Sequence, residues 1–139
     1  LKAIIAKGAT ATGLDHSQVV LDQAAKRNAA AISDGRLSLV DGGYEAAELI
    51  PGHFTKILSV NVIQFVDGAS FHITMAQKLA AGGCLATVYQ PRHKGHNHAD
   101  TVAMAERIST WMAASGLTEI VTEILPMGKA PVVCVLGRR

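Results

Sequence analysis

Two carboxylates, Asp15 and Asp41, each close a short run of strand-forming residues and stand directly before a turn or helix signal. The first lies in Ala9-Thr10-Ala11-Thr12-Gly13-Leu14-Asp15-His16-Ser17, the second in Arg36-Leu37-Ser38-Leu39-Val40-Asp41-Gly42-Gly43. In an open α/β sheet, ligands bind just outside the carboxyl ends of the strands. An acid placed there is suited to accept two hydrogen bonds from a vicinal diol such as a ribose. Two plainer readings stand beside this one. Asp15 also favours the N-terminus of the helix that follows, and Asp41 also suits a turn before Gly42-Gly43. Asn61, at the end of a third run, is placed either to meet a ligand or to satisfy loop backbone groups.

These residues need elements to position them. Residues 1–8 read as the end of a helix stopped by Gly8. Residues 9–15 form a strand, and Ser17 caps a helix running to about residue 31, with Val20, Leu21, Ala24, Ala25 and Asn28 at helical spacing. Asp34-Gly35 breaks it. A second strand covers 36–41, and a short helix covers 44–49. The third strand, 54–62, is continuously apolar toward its end, as buried parallel strands are. A helix over 69–80, with Ile73, Ala76 and Leu79 inward, closes at Gly82-Gly83. A fourth strand, 84–89, leads through the polar loop 90–97 into a helix over 100–115. That helix carries Val102, Ala105, Ile108, Trp111 and Met112 on one side and stops at Gly116.

The last two strands, 117–125 and 131–137, are separated by only five residues. A parallel crossover needs about a dozen, so this pair must run antiparallel. The fold class predicted is α/β: one domain with a doubly wound, mostly parallel sheet and a reversed C-terminal strand.

The segment His93-Lys94-Gly95-His96-Asn97-His98 invites a metal reading. Zinc sites draw on further Cys, His or carboxylate ligands at set spacings, and neither Cys84 nor Cys134 is near in sequence. No metal is expected there. Because it follows a strand's carboxyl end, the segment is expected to border a substrate pocket. His53 and His72 belong to no constellation and are expected at the surface. Trp111 and the methionines are expected in the core, and the cysteines as buried, reduced thiols.

Composition narrows the function classes. The 139 residues can bury a sizeable core, and 49% hydrophobic with 17% charged residues fits a compact soluble chain. A formal charge of +2 argues against nucleic acid or an anionic membrane as partner. No apolar run approaches the ~20 residues of a membrane span, and no signal peptide is visible. A cytoplasmic protein is the expectation.

The order strand-Asp, helix, strand-Asp, strand-Asn, helix-Gly-Gly-strand and terminal hairpin resembles the class I S-adenosylmethionine-dependent methyltransferases, from the first helix to the last strand. Four stretches carry the resemblance. They are Gly13-Leu14-Asp15-His16-Ser17 with Leu21 and Ala24-Ala25, Leu39-Val40-Asp41-Gly42, Val60-Asn61-Val62-Ile63-Gln64-Phe65, and Leu79-Ala80-Ala81-Gly82-Gly83. The resemblance implies a Rossmann-like fold, S-adenosyl-L-methionine as cofactor, and methyl transfer to a small molecule. It further implies that Asp15 binds both ribose hydroxyls and that His16 flanks the adenine. Asp41 would accept from the exocyclic amine, the Gly42 N–H would serve a ring nitrogen, and Asn61 would lie near the methionine part. A general base is optional for such chemistry; His93 and Tyr89 are both placed for it, and nothing selects either.

The family's first strand and Gly-rich turn are expected before Leu1. In the family that strand lies between those ending here at Asp15 and Asn61. Both edges are therefore expected to be open and to favour a homodimer, and the chain alone to hold at most the nucleoside end. Two rival readings stand. A nicotinamide-dependent oxidoreductase also puts an acid on a ribose, but the terminal hairpin and the lack of residues for hydride chemistry oppose it. A non-catalytic, methyltransferase-like binding domain is kept open by the absent glycine turn.

Overall fold

In a computed structural model, which describes residues 5, 8–91, 97–127 and 131–139, the chain divides into two units, Leu1–Ile50 and Pro51–Arg139. The first unit holds strand β1 (Ala11–Asp15), helices α1 (Gln18–Arg27) and α2 (Ala29–Ser33), strand β2 (Leu37–Asp41) and a 3-10 turn, Tyr44–Leu49. β1 and β2 pair in parallel, from Ala11 opposite Leu37 to Asp15 opposite Asp41. Buried Ile5, Ala31 and Leu37, with Ala11 and Leu39 against them, form its small core.

The single helix expected to residue 31 is two helices. Asn28 leaves the helical region at φ −127° and ψ 25°. Its side-chain amide donates to the Ala24 carbonyl at 2.8 Å, the local competition that makes Asn a poor interior residue. Leu21 is buried as expected, whereas Val20 faces solvent.

The second unit holds β3 (Phe54–Val60), α3 (Gly68–Lys78), β4 (Leu79–Tyr89), α4 (His98–Ala114), β5 (Thr118–Leu125) and β6 (Val132–Arg138). Its sheet has the order β3-β4-β6-β5. β3 and β4 run parallel, while β6 is antiparallel to both neighbours, so the expected reversed strand is present. Among the described residues β1 pairs only with β2, and β3 only with β4. β4 shows the period of two that a strand covered on one face requires. Leu85, Thr87 and Tyr89 are buried, while Cys84, Ala86 and Val88 are half-buried.

Several expectations are corrected here. β3 is not buried on both faces: Leu58 and Val60 are 57% and 53% exposed. α3 ends at Lys78, and β4 begins at Leu79 rather than Cys84. Gly82-Gly83 therefore lies inside the strand, where the register shifts from Phe54–Leu79 to Lys56–Cys84. The inward stripe of α3 is Gly68, Phe71, His72, Met75 and Ala76, with Ile73 outside. His72, expected at the surface, is completely buried, because it falls on that stripe. Both cysteines are free but only half-buried. No helix among the described residues is long and apolar enough to cross a membrane.

Two close fits hold this unit. Gly68 lies against Trp111 so tightly that an added Cβ would overlap the indole ring. Asn61, just past β3, adopts the left-handed φ of 55°; its N–H donates to the Val88 carbonyl at 2.9 Å, and its Oδ1 accepts from Gln90 N–H at 2.8 Å. Asn tolerates this conformation better than most residues with a side chain.

Gly68→Ala is expected to cost about 1–3 kcal/mol through overpacking, read by urea denaturation with Trp111, the sole tryptophan, as fluorescent reporter. At Asn61, Ala loses the bond to Gln90 and adds left-handed strain, while Gly loses only the bond. Asn61→Ala should therefore be less stable than Asn61→Gly by about 1 kcal/mol; equal stabilities would contradict the strain argument.

Candidate functional site

The parallel register places Asp15 and Asp41 opposite one another at the ends of adjacent strands. Asp15 Oδ1 accepts from Ser17 N–H at 2.9 Å, so the carboxylate does hold the turn into α1. Ser17 in turn caps that helix, its hydroxyl accepting from Val20 N–H at 3.5 Å. Asp15 Oδ2 makes no hydrogen bond among the described residues, and the side chain is 38% exposed. The His16 ring, 84% exposed, has Nδ1 at 3.9 Å from Asp15 Oδ1. No Lys or Arg pairs with either Asp among the described residues. Two neighbouring carboxylates without a cation favour a ligand that brings donors to both.

Gly42 corrects one expectation. Its N–H donates to the Asp15 carbonyl at 3.1 Å, adding a rung beyond the strands, so its one proton is not free for an adenine nitrogen. The need for glycine here is steric. Its φ is 151°, and a Cβ would come within 2.7 Å of Ala46 Cβ.

In the second unit, the carboxyl ends of β3 and β4 bring Asn61, Tyr89 and Gln90 together. The Asn61 carbonyl oxygen is committed to Gln90, the loop-satisfying alternative of the two readings. Tyr89 is buried, and burial first, then the nearby Asp100 charge, pushes its phenol above the ordinary range. Protonated at neutral pH, the phenol is a hydrogen-bond donor. His93 and His96, with the substrate-pocket reading of their loop, lie outside the described residues.

Asn97 and Asp100 instead start α4. Asn97 Oδ1 accepts from Asp100 N–H and Asp100 Oδ2 from Asn97 N–H, each at 3.1 Å. This reciprocal cap was legible as Asn-x-x-Asp ahead of an apolar helix. His98 is the first residue of the helix and is exposed. Among the described residues no three His, Cys, Asp or Glu side chains gather to hold a metal ion.

No protein-family model and no curated protein matches the sequence. Solved structures match the fold. The S-adenosylmethionine-dependent methyltransferase SibL, in its apo form, superposes with a TM-score of 0.70 at 15% identity over 94% of this chain and 43% of SibL. An O-methyltransferase family protein from Burkholderia thailandensis gives 0.66 at 15% identity over 94% of this chain and 43% of that protein. The N-methyltransferase NodS from Bradyrhizobium japonicum WM9, in complex with S-adenosyl-L-homocysteine, gives 0.68 at 17% identity over 94% of this chain and 66% of NodS. The chain thus spans less than half the length of the first two. On this evidence the chain has the Rossmann-like fold of the class I S-adenosylmethionine-dependent methyltransferases.

Proposed function

We propose that this chain carries the nucleoside-holding part of an S-adenosylmethionine-dependent methyltransferase that acts on a small molecule. The observation that carries the reading is the level pair of exposed carboxylates, Asp15 and Asp41, at adjacent parallel strand ends. Asp15 Oδ2 is free to accept from the ribose hydroxyls while Oδ1 keeps the turn closed. Asp41 accepts from the exocyclic amine of adenine, and the exposed His16 ring flanks the base. The ribose hydroxyls and the adenine amine bring hydrogen-bond donors to both acids, so the residues fit the nucleoside.

When bound, S-adenosylmethionine supplies an activated methyl on a sulfonium for displacement by a substrate nucleophile. The protein's part in such a step is to hold donor and acceptor in near-attack geometry. Tyr89 keeps its proton and contributes at most a hydrogen-bond donor. Asn61 fixes the start of the loop after β4 through Gln90 and is not assigned a cofactor contact. β6 reversed between β4 and β5 departs from the all-parallel dinucleotide fold, and this disfavours the oxidoreductase alternative.

Calorimetric titration with S-adenosylhomocysteine tests the reading. Hydrogen bonds to charged groups are worth about 1.5–3 kcal/mol each, so Asp15→Ala should weaken binding tenfold or more. Asp41→Ala, losing one such bond, should weaken it less. Unchanged affinity in Asp15→Ala removes that residue from the site.

A further inference from the structure

His72 is the one histidine among the described residues that is fully buried. Its Nδ1 lies 2.6 Å from the Gly68 carbonyl, and its Nε2 lies 3.2 Å from Thr87 Oγ1, itself completely buried. A carbonyl only accepts, so Nδ1 carries the proton and Nε2 accepts from the Thr87 hydroxyl. The imidazole stacks on Trp111, with centroids 5.9 Å apart and planes at 27°, and meets the edge of Phe71 at 5.1 Å. One neutral ring thus ties α3 to β4 through a hydrogen bond and to α4 through an aromatic face.

We propose that this ring is an acid-sensitive latch: α3 stays docked on β4 and α4 only while His72 is neutral. A second proton would sit on Nε2, facing the hydroxyl from which it had been accepting. Thr87 would have to turn its own hydrogen away, and a full charge would remain in a dry, aromatic cage.

The groups facing the ring offer that charge no compensation. From β4 come Thr87 and, two residues on along the same face, the neutral Tyr89. From β3 comes Ser59, in register with Thr87, buried and with no hydrogen-bond partner for its hydroxyl among the described residues. From α4 comes Trp111 with the Arg107 guanidinium 4.8 Å from its centroid, a charge of the wrong sign. At the N-cap of α3, Asp67 is exposed and committed to Ser70 N–H and Oγ–H at 3.0 and 2.6 Å. Burial accordingly pushes the His72 imidazole below its ordinary range, a shift the Gly68 hydrogen bond only partly offsets.

The sign follows from linkage. As pH falls through about 6.5 the unfolded chain binds a proton at position 72 that the folded unit refuses. Stability is therefore full above that pH and declines below it, until the folded ring titrates as well.

The test is urea denaturation of the chain between pH 8 and 5, followed by Trp111 fluorescence. The unfolding constant should be level from pH 8 to 7 and then rise, by up to about tenfold per pH unit from this site. In His72→Gln that rise should shrink by one proton. The full slope surviving in His72→Gln would overturn the latch. A second readout needs no variant: in a proton NMR titration the ring Cε1–H of His72 should keep its neutral shift through about pH 6.5. If the His72 ring takes up its second proton by that pH, the proposal fails.

Discussion

Because β1 and β2 pair in parallel with Ala11 opposite Leu37, their last residues, Asp15 and Asp41, end level with each other, and the chemistry proposed for this chain depends on that register. The register is set by burial: Ile5, Ala31 and Leu37 are buried in one cluster, with Ala11 and Leu39 packed against them. A slip of one residue would turn the apolar set outward and leave the two acids staggered. The rung from Gly42 N–H to the Asp15 carbonyl extends the ladder past the strand ends. Ser17 N–H on Asp15 Oδ1 fixes the carboxylate at the mouth of the turn. Backbone geometry thus presents two acids that no Lys or Arg pairs with among the described residues.

The second unit solves a different problem. Its reversed strand β6 lets a parallel pair and a terminal hairpin share one sheet, with α3 and α4 covering the face that carries Leu85, Thr87, Val133 and Val135. The other face leaves Leu58 and Val60 in solvent, and the outer edge of β3 has no strand partner among the described residues. On the covered face the fit between Gly68 and Trp111, and the hydrogen bonds of His72, join three elements at one point. Asn61 does the same at the carboxyl end, closing β3 onto Gln90.

Much of this was legible in the residue order. Asp15 and Asp41 marked strand ends because turn and cap residues follow each at once, and the short spacing before residue 131 required an antiparallel pair. The misses have local causes. Asn28 suits the helical spacing but binds the Ala24 carbonyl, a choice that spacing does not reveal. Gly82-Gly83 reads as a stop yet sits in a register shift, which depends on the partner strand. His72 shares a stripe with Phe71, Met75 and Ala76, so its burial was readable from helical period once its polarity was set aside. Its hydrogen bond to Thr87, fifteen positions on, was not. The Gly42 N–H was assigned from resemblance alone, and the backbone ladder had the prior claim on it.

The most direct measurement is amide NMR mapping with S-adenosylhomocysteine. If the two level carboxylates hold the nucleoside, the largest shifts on titration fall on residues 14–17 and 41–43, and inosine, which lacks the exocyclic amine, shifts 41–43 less than adenosine does. Shifts that leave both strand ends untouched would contradict the account.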